Sequence, residues 1–159
     1  MTTATVEQAL RKHPFVKEFG EPQIRKLAEL AREVTFEPNQ VIFREGDECS
    51  EFYLIVSGLV ALEIAAPGHT FRIQTLSGGD EFGWSAMLMG RGKHFQARAL
   101  DRVEALAFQG ADLIKACQED AAFGYAFMHR LLEVVSERLQ ATRLQLLDMY
   151  SPIAKKAGA

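Results

Sequence analysis

The hydrophobic positions of this 159-residue chain change their period twice. In the stretch 5–34 the apolar residues Val6, Leu10, Ile24, Leu27, Leu30 and Ala31 recur at helical spacing. Pro14 and Pro22 divide that stretch into short helices, and Glu21-Pro22 reads as a helix start because proline is tolerated in a first turn. Over 36–108 the pattern becomes a series of short β-like runs: QVIFRE, EFYLIVSG, LVALEIA, FRIQTL, FQARAL and VEALAF. Turn formers punctuate them at Pro38-Asn39, Glu45-Gly46-Asp47, Ser57-Gly58, Pro67-Gly68 and Ser77-Gly78-Gly79. Many short strands at such spacing predict a roll or barrel. From 111 to 150 the period is helical again, with Asp112 or Asp120 able to cap its segments and Ser151-Pro152 ending it.

The predicted organisation is therefore mainly β with flanking helices (α+β), one domain over 1–150. It has N-terminal helices at 5–34, a β-roll at 36–108, C-terminal helices at 111–150 and a polar tail at 151–159. Within the last helix, Leu132, Val135, Leu139, Thr142, Leu146 and Met149 follow alternating steps of three and four. That is a short heptad seam, and it predicts a homodimer through Leu132, Val135, Leu139, Leu146 and Met149. Packing of part of this face on the roll of the same chain is the other reading.

Composition narrows the chemistry. The chain carries 18 basic and 21 acidic side chains, a formal charge of −3. This gives no electrostatic footprint for non-specific binding to nucleic acid. No apolar run approaches the roughly 20 residues that span a bilayer, and the N-terminus MTTATVEQALRKHP lacks the apolar segment of a signal peptide. A cytoplasmic protein is the expectation. Cys49 and Cys117 match no metal spacing, and His13, His69, His94 and His129 fall in different elements with no zinc-like pattern. No nucleophile elbow, P-loop or paired carboxylate is present, so no metal, no cofactor and no enzymatic activity are expected.

One stretch does carry chemistry. In GDEFGWSAMLMGRGKHFQARA, residues 79–99, the pair Phe82-Gly83 opens a short apolar helix and a basic loop then leads into a strand. Backbone N–H groups at a helix start beside a cation attract anions. This segment resembles the phosphate-binding cassette of the cyclic nucleotide-binding domain family, in which FGE(L/I)AL is followed by R(A/S)(A/T). The chain keeps Phe82, Gly83, Ala86 and Met87-Leu88 of that pattern. Gly46-Asp47 with Phe52-Tyr53-Leu54-Ile55-Val56-Ser57-Gly58 is similar to the family's strand-and-turn hallmark, and HPFVKEFGEPQIRKLAELAREVTFEPNQVIF to its N-terminal helical segment. The resemblance spans roughly residues 6–150 and implies the family's β-roll.

For a cyclic nucleotide such as cAMP or cGMP, the resemblance implies phosphate ligands at Gly83, Ser85, Ala86 and Lys93. Ser85 equally reads as a cap of the short helix. Lys93 stands where the family has arginine and supplies a cation without a planar fork. Arg91, His94 and Arg98 are alternatives nearby, Arg98 reading best as a solvated strand residue. Trp84 replaces the glutamate that accepts from the ribose 2′-OH, and an indole N–H can only donate. It either stacks on the base or sugar or fills the pocket. Glu81 could supply an acceptor but reads as part of a solvated turn. Arg138-Leu139-Gln140-Ala141-Thr142 resembles a string in the family's transcription regulators whose threonine contacts adenine, which makes Thr142 a base-contacting candidate. In those regulators a helix-turn-helix domain follows, and SPIAKKAGA is too short to build one, so direct DNA binding is not expected. The resemblance implies a sensor that signals through its C-terminal helix. A ligand-less dimerisation or interaction adaptor is the alternative.

Overall fold

A computed structural model describes residues 3–47, 50–88 and 95–150. It divides into two compact units, Met1–Ala126 and Phe127–Ala159. In the first unit, helix α1 (Thr3–Lys12), a 3₁₀ turn (Pro14–Val16) and helix α2 (Glu21–Leu30) precede the strands. Gly20 caps α2, and Pro22 sits in its first turn as the sequence predicts. His13 joins this helical segment to the roll. Its Nδ1 accepts from the Phe15 N–H at 3.1 Å, so the proton lies on Nε2, which donates to the Ile55 carbonyl at 3.1 Å.

Among the described residues eight strands follow: β1 (Arg32–Phe36), β2 (Val41–Phe43), β3 (Glu51–Ser57), β4 (Val60–Ala66), β5 (His69–Leu76), β6 (Glu81–Phe82), β7 (Gln96–Ala99) and β8 (Val103–Gln109). They form two four-stranded sheets, ordered β1-β8-β3-β6 and β2-β7-β4-β5, with every described pairing antiparallel. The predicted β-roll is thus present, with one correction at its boundary. Arg32–Phe36 is a strand, where helix was expected to continue to 34, because Val34 and Thr35 are β-branched and pair with Ala105 and Glu104 of β8. The turns close on side chains: Asp47 accepts from the Arg44 N–H at 2.8 Å, and Asp80 from the Ser77 N–H at 2.9 Å.

Alternation along the strands turns Tyr53, Ile55, Val60, Leu62, Ala97, Ala99, Val103, Ala105 and Ala107 into a shared core. The four alanines leave room for rings. Phe36, Tyr53, Phe82, Phe43 and Phe95 run across the roll as a chain of aromatic contacts, with centroids 5.9, 4.7, 6.0 and 6.1 Å apart in that order. The tightest pair, Tyr53 on Phe82, is stacked at 13°. Burial pushes the Tyr53 phenol up to about 12, with Glu51 adding to the rise and Arg32 opposing it.

Helix α3 (Gly110–Glu119) follows β8 directly, and α4 (Ala121–Tyr150) begins after Asp120. Asp120 is the cap that forms, accepting from the N–H groups of Ala122 and Phe123 at 3.1 and 3.2 Å. Asp112 lies inside the first turn of α3, whose N-cap is Gln109. In the second unit Leu132, Leu139, Leu146 and Met149 are all more than half exposed, so the heptad seam of α4 presents an apolar face. No described helix is long and apolar enough to cross a membrane. Truncating the fully buried Phe82 to alanine is expected to destabilise the first unit by about 3–5 kcal/mol, measured by urea denaturation.

Candidate functional site

The site is built from the end of β6 outward. Glu81 and Phe82 pair with Leu54 and Tyr53 of β3, which fixes where Gly83 emerges. Gly83 adopts φ 81° and ψ 20°, a left-handed conformation that opens the four-residue 3₁₀ helix Trp84–Met87. A side chain there is strained, so glycine is required by the backbone itself. Ser85, Ala86 and Met87 are buried, and Gly83 rather than Ser85 holds the N-cap position. The Ala86 N–H donates to the Gly83 carbonyl at 3.0 Å and the Leu88 N–H to that of Ser85 at 2.9 Å. The N–H groups ahead of Ala86 precede the first bond of the turn and have no partner within it.

Helix α3 backs this turn. The Gly110 N–H donates to the Ser50 carbonyl at 2.8 Å, and a Cβ on Gly110 would stand 2.4 Å from the Ala86 carbonyl oxygen. Two backbones therefore meet here with no side chain between them. The cassette helix is pinned from β3 on one side and from α3 on the other.

Trp84 is half-buried at the start of this helix. Its Nε1 is shielded from solvent and has no hydrogen-bond partner. Lys93, Arg91 and His94 lie outside the described residues. Thr142 is exposed on α4 in the second unit, where its hydroxyl donates to the Arg138 carbonyl at 2.9 Å. The structure thus gathers Gly83, Trp84, Ser85 and Ala86 into one turn.

Two expectations about charged residues are overturned. Glu81 is buried in β6 and is not part of a solvated turn. Arg98 is not a solvated strand residue: its Nε donates to Glu63 Oε1 at 3.0 Å and its Nη2 to Oε2 at 2.6 Å. The Gln96 amide adds a third bond to Oε1 at 2.8 Å, and Arg98 also reaches the Asn39 side chain at 3.4 Å. This clamp lies where β4 and β7 pair, with Glu63 opposite Gln96. It borders a depression of about 460 Å³ lined also by Thr70 and Arg72. Hydrogen bonding from Arg98, reinforced by Gln96 and the nearby Arg72, holds the Glu63 carboxyl below its ordinary value against the opposing effect of burial. Glu63 is therefore ionised and fully engaged, and Arg98 is committed to it. Sequence reasoning missed Glu63 because its partner lies 35 positions away. The alternation of β4, which places a charge between Leu62 and Ile64, was the available signal. Elsewhere, Cys117 is a free thiol whose pKa is raised by burial, which makes it a poor nucleophile, and His69 packs edge-on against Phe71 at 4.4 Å.

The sequence profile described as cyclic nucleotide-binding domain matches residues 33–120. Among solved structures, the chain is similar to a cyclic nucleotide-binding domain from Methylobacillus flagellatus at 17% identity, with a TM-score of 0.80 over 92% of this chain and 83% of that one. It is similar to the N-terminal domain of a transcriptional regulator from Streptomyces coelicolor at 24% identity, with a TM-score of 0.68 over 87% and 95%. It is also similar to the catabolite activator protein of Thermus thermophilus at 22% identity, with a TM-score of 0.72 over 87% of this chain and 63% of that one. At these identities the likeness is one of fold.

Two substitutions test the local reading. Gly83→Ala is expected to cost about 1–2 kcal/mol in denaturation experiments, the strain of a left-handed alanine. Because the folded-state pKa of Glu63 is depressed, its stabilisation is present above the ordinary carboxylate pKa and is lost as pH falls through the depressed value. Glu63→Gln is expected to cost about 1.5–3 kcal/mol at neutral pH, and less as the solution is acidified below the carboxylate range. A pH-independent difference between the two proteins contradicts the clamp.

Proposed function

The chain belongs to the cyclic nucleotide-binding domain family, and from that premise we propose that it is a regulatory sensor domain. Its ligand is cAMP, cGMP or a related small anionic molecule, received at the Gly83–Met87 turn. The observation that carries this reading is the left-handed Gly83 opening a helix whose backbone is clamped between β3 and α3. The anion is held by the N–H groups of Gly83 and Ser85, by that of Ala86 shared with the Gly83 carbonyl, and by the Lys93 ammonium. Trp84 faces the base or sugar. Arg98, being committed to Glu63, leaves the charge of the ligand to the loop that contains Lys93.

A lysine in place of a forked guanidinium makes the phosphate contact less directional. Removing one charge-assisted hydrogen bond costs about 1.5–3 kcal/mol, or roughly one to two orders of magnitude in affinity. The expected affinity is therefore modest. The exposed seam of α4 supports assembly of two chains and gives the ligand a route to an output. The domain acts in the cytoplasm, without chemistry of its own.

A second reading has its own support. The aromatic chain from Phe36 to Phe95 and the shielded indole of Trp84 fit a roll filled by side chains. In that case the domain is a ligand-less adaptor.

Trp84 is the sole tryptophan of the chain, so intrinsic fluorescence reports from the site itself. Titration with cAMP and with cGMP is expected to change that fluorescence saturably and to release or absorb heat in calorimetry. No response in either measurement at millimolar nucleotide contradicts the sensor and favours the adaptor. Light scattering is expected to give twice the mass of one chain, with Leu139→Lys giving a monomer; a monomeric wild-type chain removes the α4 seam from both readings.

A further inference from the structure

Trp84 Nε1 is the one buried side-chain donor without a hydrogen-bond partner among the described residues of the first unit. Buried donors are almost always satisfied, and an unsatisfied one calls for a physical reason. Bulk is not a sufficient reason here. A smaller phenylalanine ring would fill much of that space without leaving a polar group unmet. Trp84 is only half-buried as a residue, yet its ring nitrogen is shielded from solvent. An indole ordinarily has its N–H at a partner or in solvent, and here it has neither.

The location matters as much as the atom. Trp84 is the first residue of the cassette helix and follows a glycine, which has no side chain to obstruct a turn of the indole about its own torsions. The backbone beneath it is held by β3 and α3, so the ring can move while the turn stays fixed. An indole N–H donates and never accepts, so only an acceptor can complete it.

We infer that Trp84 is a plug over the cassette turn that rotates when a bound ligand presents an oxygen acceptor to Nε1. The ligand group at this point is a phosphoryl, carbonyl or ether oxygen rather than a hydroxyl acting as donor. This inference rests on the sensor reading above and specifies what its ligand must offer. The unmet donor leaves the shielded position poorly stabilised, so an acceptor of suitable reach draws the ring toward itself. Position 84 then selects ligands by their acceptors, and it couples occupancy to a visible movement of a single side chain.

The sole tryptophan gives one indole cross-peak in a proton–nitrogen correlation spectrum of the ¹⁵N-labelled chain. Adding cAMP, and separately cGMP, at millimolar concentration is expected to move that peak downfield together with the backbone amides of Gly83–Ala86. Trp84→Phe is expected to bind the same nucleotide at least tenfold more weakly while melting at the same temperature as the wild type or higher. Cassette amides that move while the indole peak stays still, with Trp84→Phe binding as tightly as wild type, overturn the plug and leave the sensor standing. A spectrum in which no peak moves overturns the sensor reading and the plug with it.

Discussion

Phe82 lies fully buried in the roll, stacked on Tyr53 at 4.7 Å and in contact with Phe43 at 6.0 Å. The position of the candidate site depends on this packing. Strand β6 is only two residues long, and so short a ladder holds little by its own hydrogen bonds. The ring supplies the anchor that the ladder lacks. Gly83 follows it in the chain, so the left-handed turn and the helix behind it are delivered to the same place whenever the core forms. Alanines at 97, 99, 105 and 107 make this possible by leaving volume for rings between the sheets. The mouth of the site is thereby an extension of the hydrophobic core, and its rigidity is inherited from it.

Charge is arranged on the same plan. The clamp of Glu63 with Arg98 and Gln96 locks β7 to β4. The clamp also removes Arg98 from any role toward an anion. What the described residues offer at the turn is backbone N–H, the Ser85 hydroxyl and an indole. That set favours an anionic ligand but discriminates less sharply than a guanidinium with a carboxylate would.

Much of this was legible in the chain, and the failures are instructive. Six of the strands fall on the alternating runs, β4, β5 and β8 reaching one or two residues beyond them, because turn formers such as Gly46-Asp47 and Gly58 delimit them. The Phe82-Gly83 pair was readable as the opening of the cassette because only glycine takes that backbone conformation cheaply. Strand β1 was hidden by its context: Val34 continues the helical spacing of Ile24 and Leu27, and only pairing with β8 makes it a strand. Glu81 and Arg98 were misread as solvated because their burial is decided by strands far away in sequence. The shielding of Trp84 Nε1 is a tertiary fact, and no pattern in the sequence carries it.

The central claim is that the Gly83–Met87 turn receives an anionic nucleotide and that Trp84 yields to it. A crystal structure of the chain grown with millimolar cAMP addresses both at once. The account predicts a phosphate against the N–H groups of Gly83 and Ser85, with the indole turned so that Nε1 donates to a ligand oxygen. An empty turn with the indole in its shielded position, at a concentration that saturates ordinary members of the family, would contradict it.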